Sequence, residues 1–597
     1  MTRLVSACIA LNLLAALPAH AADKPHNVVI FVADGLRYDS VTPDIAPTLA
    51  RVRQEGVDFT NSHSLFPTLT TANASAIATG HFLGDTGDYA NTLYVGYPVK
   101  ARDNSPVVFL EDDAILADIK SHFGEGYLGQ PSLMARARTA GFTTAVIGKT
   151  GPAIIQDINA TAKDAIVLDD SYGKPSYDGE TGKPILTDEL AKQIAKVTGL
   201  DKAPDTAVPN IVQQTYLVTA ATRAVLPYLK AQDKPFVMLF WSRDPDASQH
   251  ASPDKIGSLV PGVNGQTPHD AITNADNDLK ELFAALNRLG IADTTDVFVT
   301  ADHGFSTIAK GLPNENGEMG PPSYPAGFIA LDVAQALEQK VFDPDAGNSE
   351  IDPASGDHPS RGDALIGPSP DAPVASLASN GGASLIYTVG SNQQRTAKRI
   401  FDAIIQKPYV GALFVSDGLL KGHKKDFAGA LPMSAVNLVG SAKVPLPAIV
   451  VSFRSFVAKD CHLAALLCAA TIVDSALQTG QGMHGSFSRA DTRNFMAAIG
   501  PDFKRGFADN SPVSNADIVP TITHVLEFPA DKGPGMLKGR VASEALVGGA
   551  PVKTVTSKVS SAAAANGFRT VLDVEQVGDT RYFNAGGDPG RVVGLQP

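Results

Sequence analysis

The chain has 597 residues and a mass of 62.3 kDa. Hydrophobic residues make up 44% and charged residues 19%, which describes a folded globular protein long enough for one large α/β core with insertions. A formal net charge of −13 and a pI of about 5.5 exclude the basic electrostatics of a nucleic-acid binder.

Residues 1–21 read as a signal peptide. Arg3 precedes the mostly apolar run Leu4 to Leu17, Pro18 breaks it, and Ala19-His20-Ala21 is a small-x-small cleavage site. The run is shorter than the roughly 20 residues of a membrane span, so the expectation is a periplasmic or secreted protein with no transmembrane anchor. Removing the signal leaves Cys461 and Cys468, and an oxidising compartment suggests that they pair. A continuous helix would hold their Cα atoms roughly 10 Å apart, too far to bridge. A disulfide there requires a loop or a broken turn.

Asn27 to Val32 is an almost unbroken apolar run, as expected of a parallel strand buried on both faces. It delivers Asp34 to the strand's C-terminal edge, where open α/β sheets place ligands; a turn or cap role is the alternative. Pro47 to Glu55 reads as a helix closed by Gly56. Phe66 to His81, FPTLTTANASAIATGH, reads as a loop entering a short helix with Gly80 past its end. Such an N-terminus can seat an anionic phosphoryl oxygen, and a hydroxyl there can attack phosphorus once deprotonated. A threonine cap is the simpler reading of the same residues.

Ser132 to Ala140 is a helix, and Phe142 to Ile147 a strand that ends at Lys149. That lysine is either a solvated turn residue or a cation over a phosphate. Ile211 to Leu226 is a long amphipathic helix. The strand Pro235 to Trp241 opens into Asp246 and His250, and the helix Ala271 to Leu289 precedes the strand Asp296 to Thr300, which ends in Asp302-His303. Strand–helix alternation with ligand residues at one edge predicts an α/β fold with a doubly wound, mostly parallel sheet flanked by helices. Residues 310–325 and 343–373, rich in Gly, Pro, Asp and Ser, read as surface insertions. Lys398 to Ile405 resumes helix, Ala448 to Phe453 is a strand, and His484 sits in a glycine-flanked loop. Pro512 to Leu526 reads as a capped helix. An Ala/Ser-rich helix and alternating segments form a small appendage at 546–597.

Asp34, Asp246, His250, Asp302, His303 and His484, together with Thr70, form a mixed N/O donor set suited to a divalent ion such as zinc. A lone histidine is more often structural; six such residues at strand ends and glycine-rich loops are not readily coincidental.

On these residues the chain resembles the alkaline phosphatase superfamily and is most similar to its nucleotide pyrophosphatase/phosphodiesterase branch. The matching motifs are VADGLR, FPTLTTANASAIATG, DPDASQH, TADHG and GMHGSF, followed by MAAIGPDF (Met496 to Phe503) and SNADIVPT (Ser514 to Thr521). They occur in family order over about residues 27–545. The resemblance implies an alkaline-phosphatase-like catalytic domain over 22–545 and a C-terminal extension over 546–597. It implies two Zn2+ ions, one held by Asp246, His250 and His484. The other is held by Asp34, Asp302 and His303 and also meets the Thr70 oxygen. Thr70 takes the nucleophile position, Asn73 the phosphoryl-contacting amide, and Lys149 a place over the anionic group. The expected activity is hydrolysis of a small-molecule phosphate ester through a covalent phospho-threonine, as a phosphodiesterase or nucleotide pyrophosphatase. The alternatives are an alkaline phosphomonoesterase and a non-catalytic binding protein on the same fold.

Two departures from the family pattern bear on substrate. Gln249 stands where the diesterase pattern has glycine, and Gly151 stands where the lysine-bearing phosphatases have arginine. The Cys/Ser-x-Pro-x-Arg setting of formylglycine sulfatases is absent around Thr70.

Overall fold

The computed structural model describes residues 27–174, 182–314, 319–320, 323–529 and 536–595; the signal peptide lies outside them. Its first sheet has eight strands. Across the sheet they run Phe507–Asp509, Val57–Phe59, Met496–Ile499, Thr295–Thr300, Asn27–Ala33, Phe236–Ser242, Thr143–Gly148 and Ile166–Asp169. The last five of these are mutually parallel.

The unbroken apolar strands follow from burial on two sides. Along Asn27–Ala33, residues Val28, Ile30 and Val32 enter one apolar cluster, and Val29, Phe31 and Ala33 enter another. Phe236–Ser242 divides the same way, with Val237, Leu239 and Trp241 opposite Phe236, Met238 and Phe240. Alternate side chains of a strand point to opposite faces, so a strand between two cores has no polar position to spare. Register then brings the strand ends level. Ala33 pairs with Ser242, Val32 with Thr300 and Gly148 with Trp241.

A second sheet of eight strands runs from Ser349–Ile351 to Leu431–Pro432 and is antiparallel except for its last pair. Its outer face packs on the helices Phe328–Leu337 and Gln393–Ile404. Its inner face gives Leu365, Ala378, Leu385 and Val450 to the same cluster that lines the first sheet. Within 343–373, the range read as a surface insertion, the exposed strand Ser349–Ile351 and the buried strand Ala364–Gly367 join this sheet.

Three expectations change. The Ala/Ser-rich stretch after residue 546 forms no helix; Thr554–Ser560, Val571–Val577 and Thr580–Gly587 make a three-stranded antiparallel sheet. Its Leu572, Val574 and Phe583 join the shared core. The helix placed at Pro512 to Leu526 is confined to Ile518–Val525, after a tight turn Asn515–Asp517 held by a Ser514/Asp517 capping box. The helix from Ile211 continues to Ala231, widening over Ala221–Val225. Cys461 and Cys468 are bonded, with Cα atoms 5.7 Å apart, in a turn segment that avoids the helical spacing. Among the described residues no helix is long and apolar enough to cross a membrane.

At the end of the first sheet remote from the ligand residues, Asp296 is 1% exposed and accepts a hydrogen bond from the Asp502 N–H at 3.2 Å. Burial, then the adjacent Asp502 carboxyl, pushes its pKa up to about 8. An unfolded aspartate loses its proton near about 3.9. Between those values the folded state binds more protons than the unfolded one, so this group makes stability fall as pH rises through the window and level off above about 8. Asp296→Asn fixes the uncharged form. It is expected to raise the melting temperature at pH 9 by a few degrees, at a little under about 1 °C per kcal/mol for a chain of this length, and to leave it unchanged at pH 4. Equal shifts at the two pH values in thermal melts would contradict this.

Candidate active site

Three parallel strands end at the same edge and carry the acids there. Asp34 follows Asn27–Ala33, and its N–H donates to Ser242 O at 3.1 Å. Asp246 begins the turn of helix Asp246–His250 after Phe236–Ser242, and its N–H donates to Asp34 O at 3.0 Å. Asp302 follows Thr295–Thr300, and its Oδ1 accepts from the Gly35 N–H at 2.9 Å. Gly35 has φ +67, and a Cβ there would meet the Phe305 ring at 2.9 Å; glycine alone fits that turn. Gln249 donates from Nε2 to Gly35 O at 3.1 Å, tying the two acid-bearing loops together.

The imidazoles converge on these acids. His303 Nε2 lies 3.3 Å from Asp302 Oδ2, 3.7 Å from Asp34 Oδ1 and 4.0 Å from Asp246 Oδ1. Asp246 Oδ1 also faces His250 Nε2 at 3.2 Å and His484 Nε2 at 3.5 Å. His484 arrives from the edge strand Gly482–Met483 and stacks on His303 with ring centroids 3.5 Å apart. Asp34, Asp302 and His303 form one compact donor group, and Asp246, His303 and His484 a second. His303 therefore stands between the two groups, and His250 reaches the second through Asp246.

The donor atoms are left free for a cation. Asp34 Oδ1, Asp246 Oδ1 and Asp302 Oδ2 are buried without a hydrogen-bond partner. Each histidine commits Nδ1 to a backbone carbonyl: His303 to Gly304 at 2.9 Å, His250 to Gly482 at 2.9 Å and His484 to Thr68 at 2.8 Å. With Nδ1 as donor, Nε2 carries the lone pair, and it points at the carboxylates. Burial and the Asp34 charge push the Asp302 carboxyl well above the usual range; burial and neighbouring His303 pull His484 well below it. Crowded acids facing the Nε2 atoms of these imidazoles fit a divalent cation, the one partner that satisfies both.

Thr70 is the first residue of the buried helix Thr70–Thr79, which closes at Gly80 with φ +69. Leu69 occupies the cap position, and no side chain caps this end. The Thr70 hydroxyl is thus not spent as a cap. Among the described residues it meets His303 Nε2, at 3.1 Å.

Asn73 sits differently from its expected role. Its Nδ2 donates to Leu65 O and Leu69 O, both at 3.1 Å, and its Oδ1 accepts from the Leu65 N–H at 2.8 Å. The amide is saturated by backbone and does not line the cavity in front of Thr70. That cavity, of about 450 Å³, is lined by Thr70, Asn91, Glu111, Lys149, Arg243, Asp246, His250 and His484, with Asp345 and Asp474 farther along the wall. Asn91 is the asparagine that lines this cavity. The Thr71 N–H donates to Asn91 Oδ1 at 2.9 Å, which orients its NH2 group toward Glu111 and the cavity.

Lys149 is 2% exposed. Its Nζ lies 3.0 Å from Asp34 Oδ2, 3.0 Å from Glu111 Oε1 and 3.4 Å from Asp246 Oδ2. Although burial disfavours the charge, Asp34 and Glu111 outweigh it and hold the ammonium's pKa well above the usual value. Gly151 has φ +84, and a Cβ there would meet Glu111 Cα at 2.7 Å, so no arginine fits two residues beyond the lysine. Glu111, Arg243 and Asn91 were not singled out in the sequence; each lies in a loop or at a strand end without a periodic signal.

Residues 28–318 match the family of type I phosphodiesterases / nucleotide pyrophosphatases. No curated protein sequence matches the chain. Among solved structures, human ectonucleotide pyrophosphatase / phosphodiesterase 5 aligns with a TM-score of 0.47 and 15% identity, covering 87% of this chain and 99% of that one. The murine protein of that name, an inactive variant in complex with AMP, aligns with a TM-score of 0.48 and 15% identity, covering 87% and 100%.

Proposed function

Because the chain belongs, through residues 28–318, to the type I phosphodiesterase / nucleotide pyrophosphatase family, we propose that it is an exported phosphodiesterase using Thr70 as nucleophile. The observation that carries this reading is the uncapped Thr70 hydroxyl, 3.1 Å from His303 Nε2, beside three buried carboxylate oxygens that have no partner. Two divalent cations, zinc by the chemistry of the donors, would be held by Asp34, Asp302 and His303 and by Asp246, His250 and His484, and when bound they lower the pKa of a hydroxyl or of water. Thr70 Oγ1 forms a bond to phosphorus as the bond from phosphorus to the leaving-group oxygen breaks, giving a phospho-threonine. Water then attacks phosphorus and frees Thr70. The Asn91 NH2 group is a donor for the non-bridging oxygens, and the Lys149 ammonium, held by Asp34, Glu111 and Asp246, adds its positive charge to the same wall.

The Cys461–Cys468 bond supports an oxidising compartment. Recovery of a mature chain beginning at Ala22 outside the cytoplasm tests export.

Hydrolysis of bis(p-nitrophenyl) phosphate at higher kcat/KM than p-nitrophenyl phosphate, with zinc present, is the expected result. No hydrolysis of either ester overturns the enzyme reading. A preference for the monoester favours the second reading, an alkaline phosphomonoesterase. Its support is the Lys149 ammonium in the cavity wall, since a dianionic group gains more from a fixed cation than a diester does. Lys149→Ala is expected to cost monoester turnover about 100-fold and diester turnover about tenfold. Equal losses would remove Lys149 from substrate discrimination.

A further inference from the structure

Three asparagines, Asn73, Asn494 and Asn515, are each 0% exposed and linked through their amides beneath the site. Asn515 lies far outside the segment that matches the family, in the tight turn Asn515–Asp517. Its Nδ2 donates to Asn73 Oδ1 at 3.0 Å and to the backbone carbonyl of Asp302 at 2.6 Å. Its Oδ1 accepts from Asn494 Nδ2 at 3.1 Å and from Thr300 Oγ1 at 3.3 Å. A primary amide has two donors and one two-lone-pair acceptor, so Asn515 uses its whole capacity on three separate chain segments.

Those segments are the ones whose register matters. Asn73, on the far side of the link, grips the carbonyls of Leu65 and Leu69, and Leu69 directly precedes Thr70. The Asp302 carbonyl directly precedes His303. Asn494 donates in addition to the Ala301 carbonyl. Two linked amides, Asn73 and Asn515, thus span from the residue ahead of the threonine hydroxyl to the residue ahead of the imidazole that faces it. The turn carrying Asn515 is itself fixed: the N–H groups of Ser514 and Arg540 donate to Asp517 at 2.8 Å and 2.7 Å.

We propose that Asn515, acting through Asn73, is a positioning residue that sets the register between the Thr70 helix and the Asp302–His303 turn. The proposal rests on the reading of Thr70 as nucleophile. Asn515 touches no reacting atom; it acts through the two backbone segments it joins.

Asn515→Asp keeps the shape and removes both donors. With bis(p-nitrophenyl) phosphate, assayed well below the melting temperature, kcat is expected to fall 10- to 100-fold while KM stays within about threefold. Zn2+ alone, titrated into the metal-stripped full chain, is expected to bind about tenfold more weakly to N515D, where the Asp302 carbonyl is released. It should bind as tightly as wild type to Asn73→Ser, where that bond remains. The double variant is expected to be no slower than N515D, because the two residues act as one link. Wild-type kcat in N515D, or additive losses in the double variant, overturns the proposal. Should N515D not fold, N73S decides by the same split: a kcat loss at unchanged KM supports the link, and unchanged kcat overturns it. A wild-type protein that hydrolyses no ester removes the nucleophile reading itself, whereas an active wild type with an equally active N515D removes the positioning role alone.

Discussion

Thr70→Ala is expected to lower turnover of any accepted phosphate ester by at least about a thousandfold, the scale on which loss of an enzyme nucleophile is felt. The reason is local. The hydroxyl sits at a buried helix start with no capping duty, so its removal leaves the helix, which ends in its own glycine closure, undisturbed. Each metal-type donor group already gathers three acid and imidazole side chains, so bound zinc measured by elemental analysis should stay within about a fifth of wild type when the threonine oxygen is lost. Thr68 and Thr71 have other work. Thr68 Oγ1 donates to Ser486 O at 2.9 Å, and Thr71 Oγ1 donates to Asp88 Oδ1 at 2.9 Å. A T70A protein with wild-type kcat would move the nucleophile away from this helix and end the mechanism given above. Labelling with a slow ester and mapping the phosphorylated peptide gives the same answer from the other side.

Stripping divalent ions is the second large effect: turnover should cease and thermal stability should drop, with zinc restoring both. Asp34, Asp246 and Asp302 are at most 4% exposed, and each has a buried oxygen with no hydrogen-bond partner. Lys149 answers two of them, Asp34 and Asp246, and leaves Asp302 to its imidazole. Gathering like charges in a buried site is costly unless a cation joins them. Free zinc at a thousand times its dissociation constant adds about 4 kcal/mol to folding stability, or about 3 °C for a chain of this length, whose unfolding entropy makes 1 kcal/mol worth a little under about 1 °C. A melting temperature indifferent to zinc, together with full activity after chelation, would overturn the metal reading.

The sequence exposed the parts of the fold whose physics is local. Strands such as Asn27–Ala33 face apolar layers on both sides, so they read as uninterrupted hydrophobic runs, and the acids that follow them mark the sheet edge. The Gly80 closure of the Thr70 helix was equally legible, since only a left-handed turn needs glycine there. The second sheet was not. Its strands are short, antiparallel and separated by Gly- and Pro-rich turns, so 343–373 looked like loop although Ala364–Gly367 is fully buried. Thr554–Ser560 was hidden by its neighbours, because the Ala-rich segment after it favours helix when taken alone while pairing with Val571–Val577 decides otherwise. In the site, acids and histidines announced themselves by chemistry and position. Asn73 and Asn91 could not be told apart, for both are asparagines near a threonine, and what separates them is which one the backbone has already saturated.

His484 hangs from Gly482–Met483, an edge strand that pairs with Ser306–Ala309, more than a hundred residues past the end of the family-matched segment at 318. The pocket is therefore closed by the late part of the polypeptide, after the second sheet has been laid down. A fragment truncated at the matched boundary would keep the threonine and all three acids of the donor set yet lack one of the three rings gathered around Asp246 Oδ1. Ester turnover would then serve as a readout of how far synthesis and folding have gone, silent until the final third of the molecule has docked.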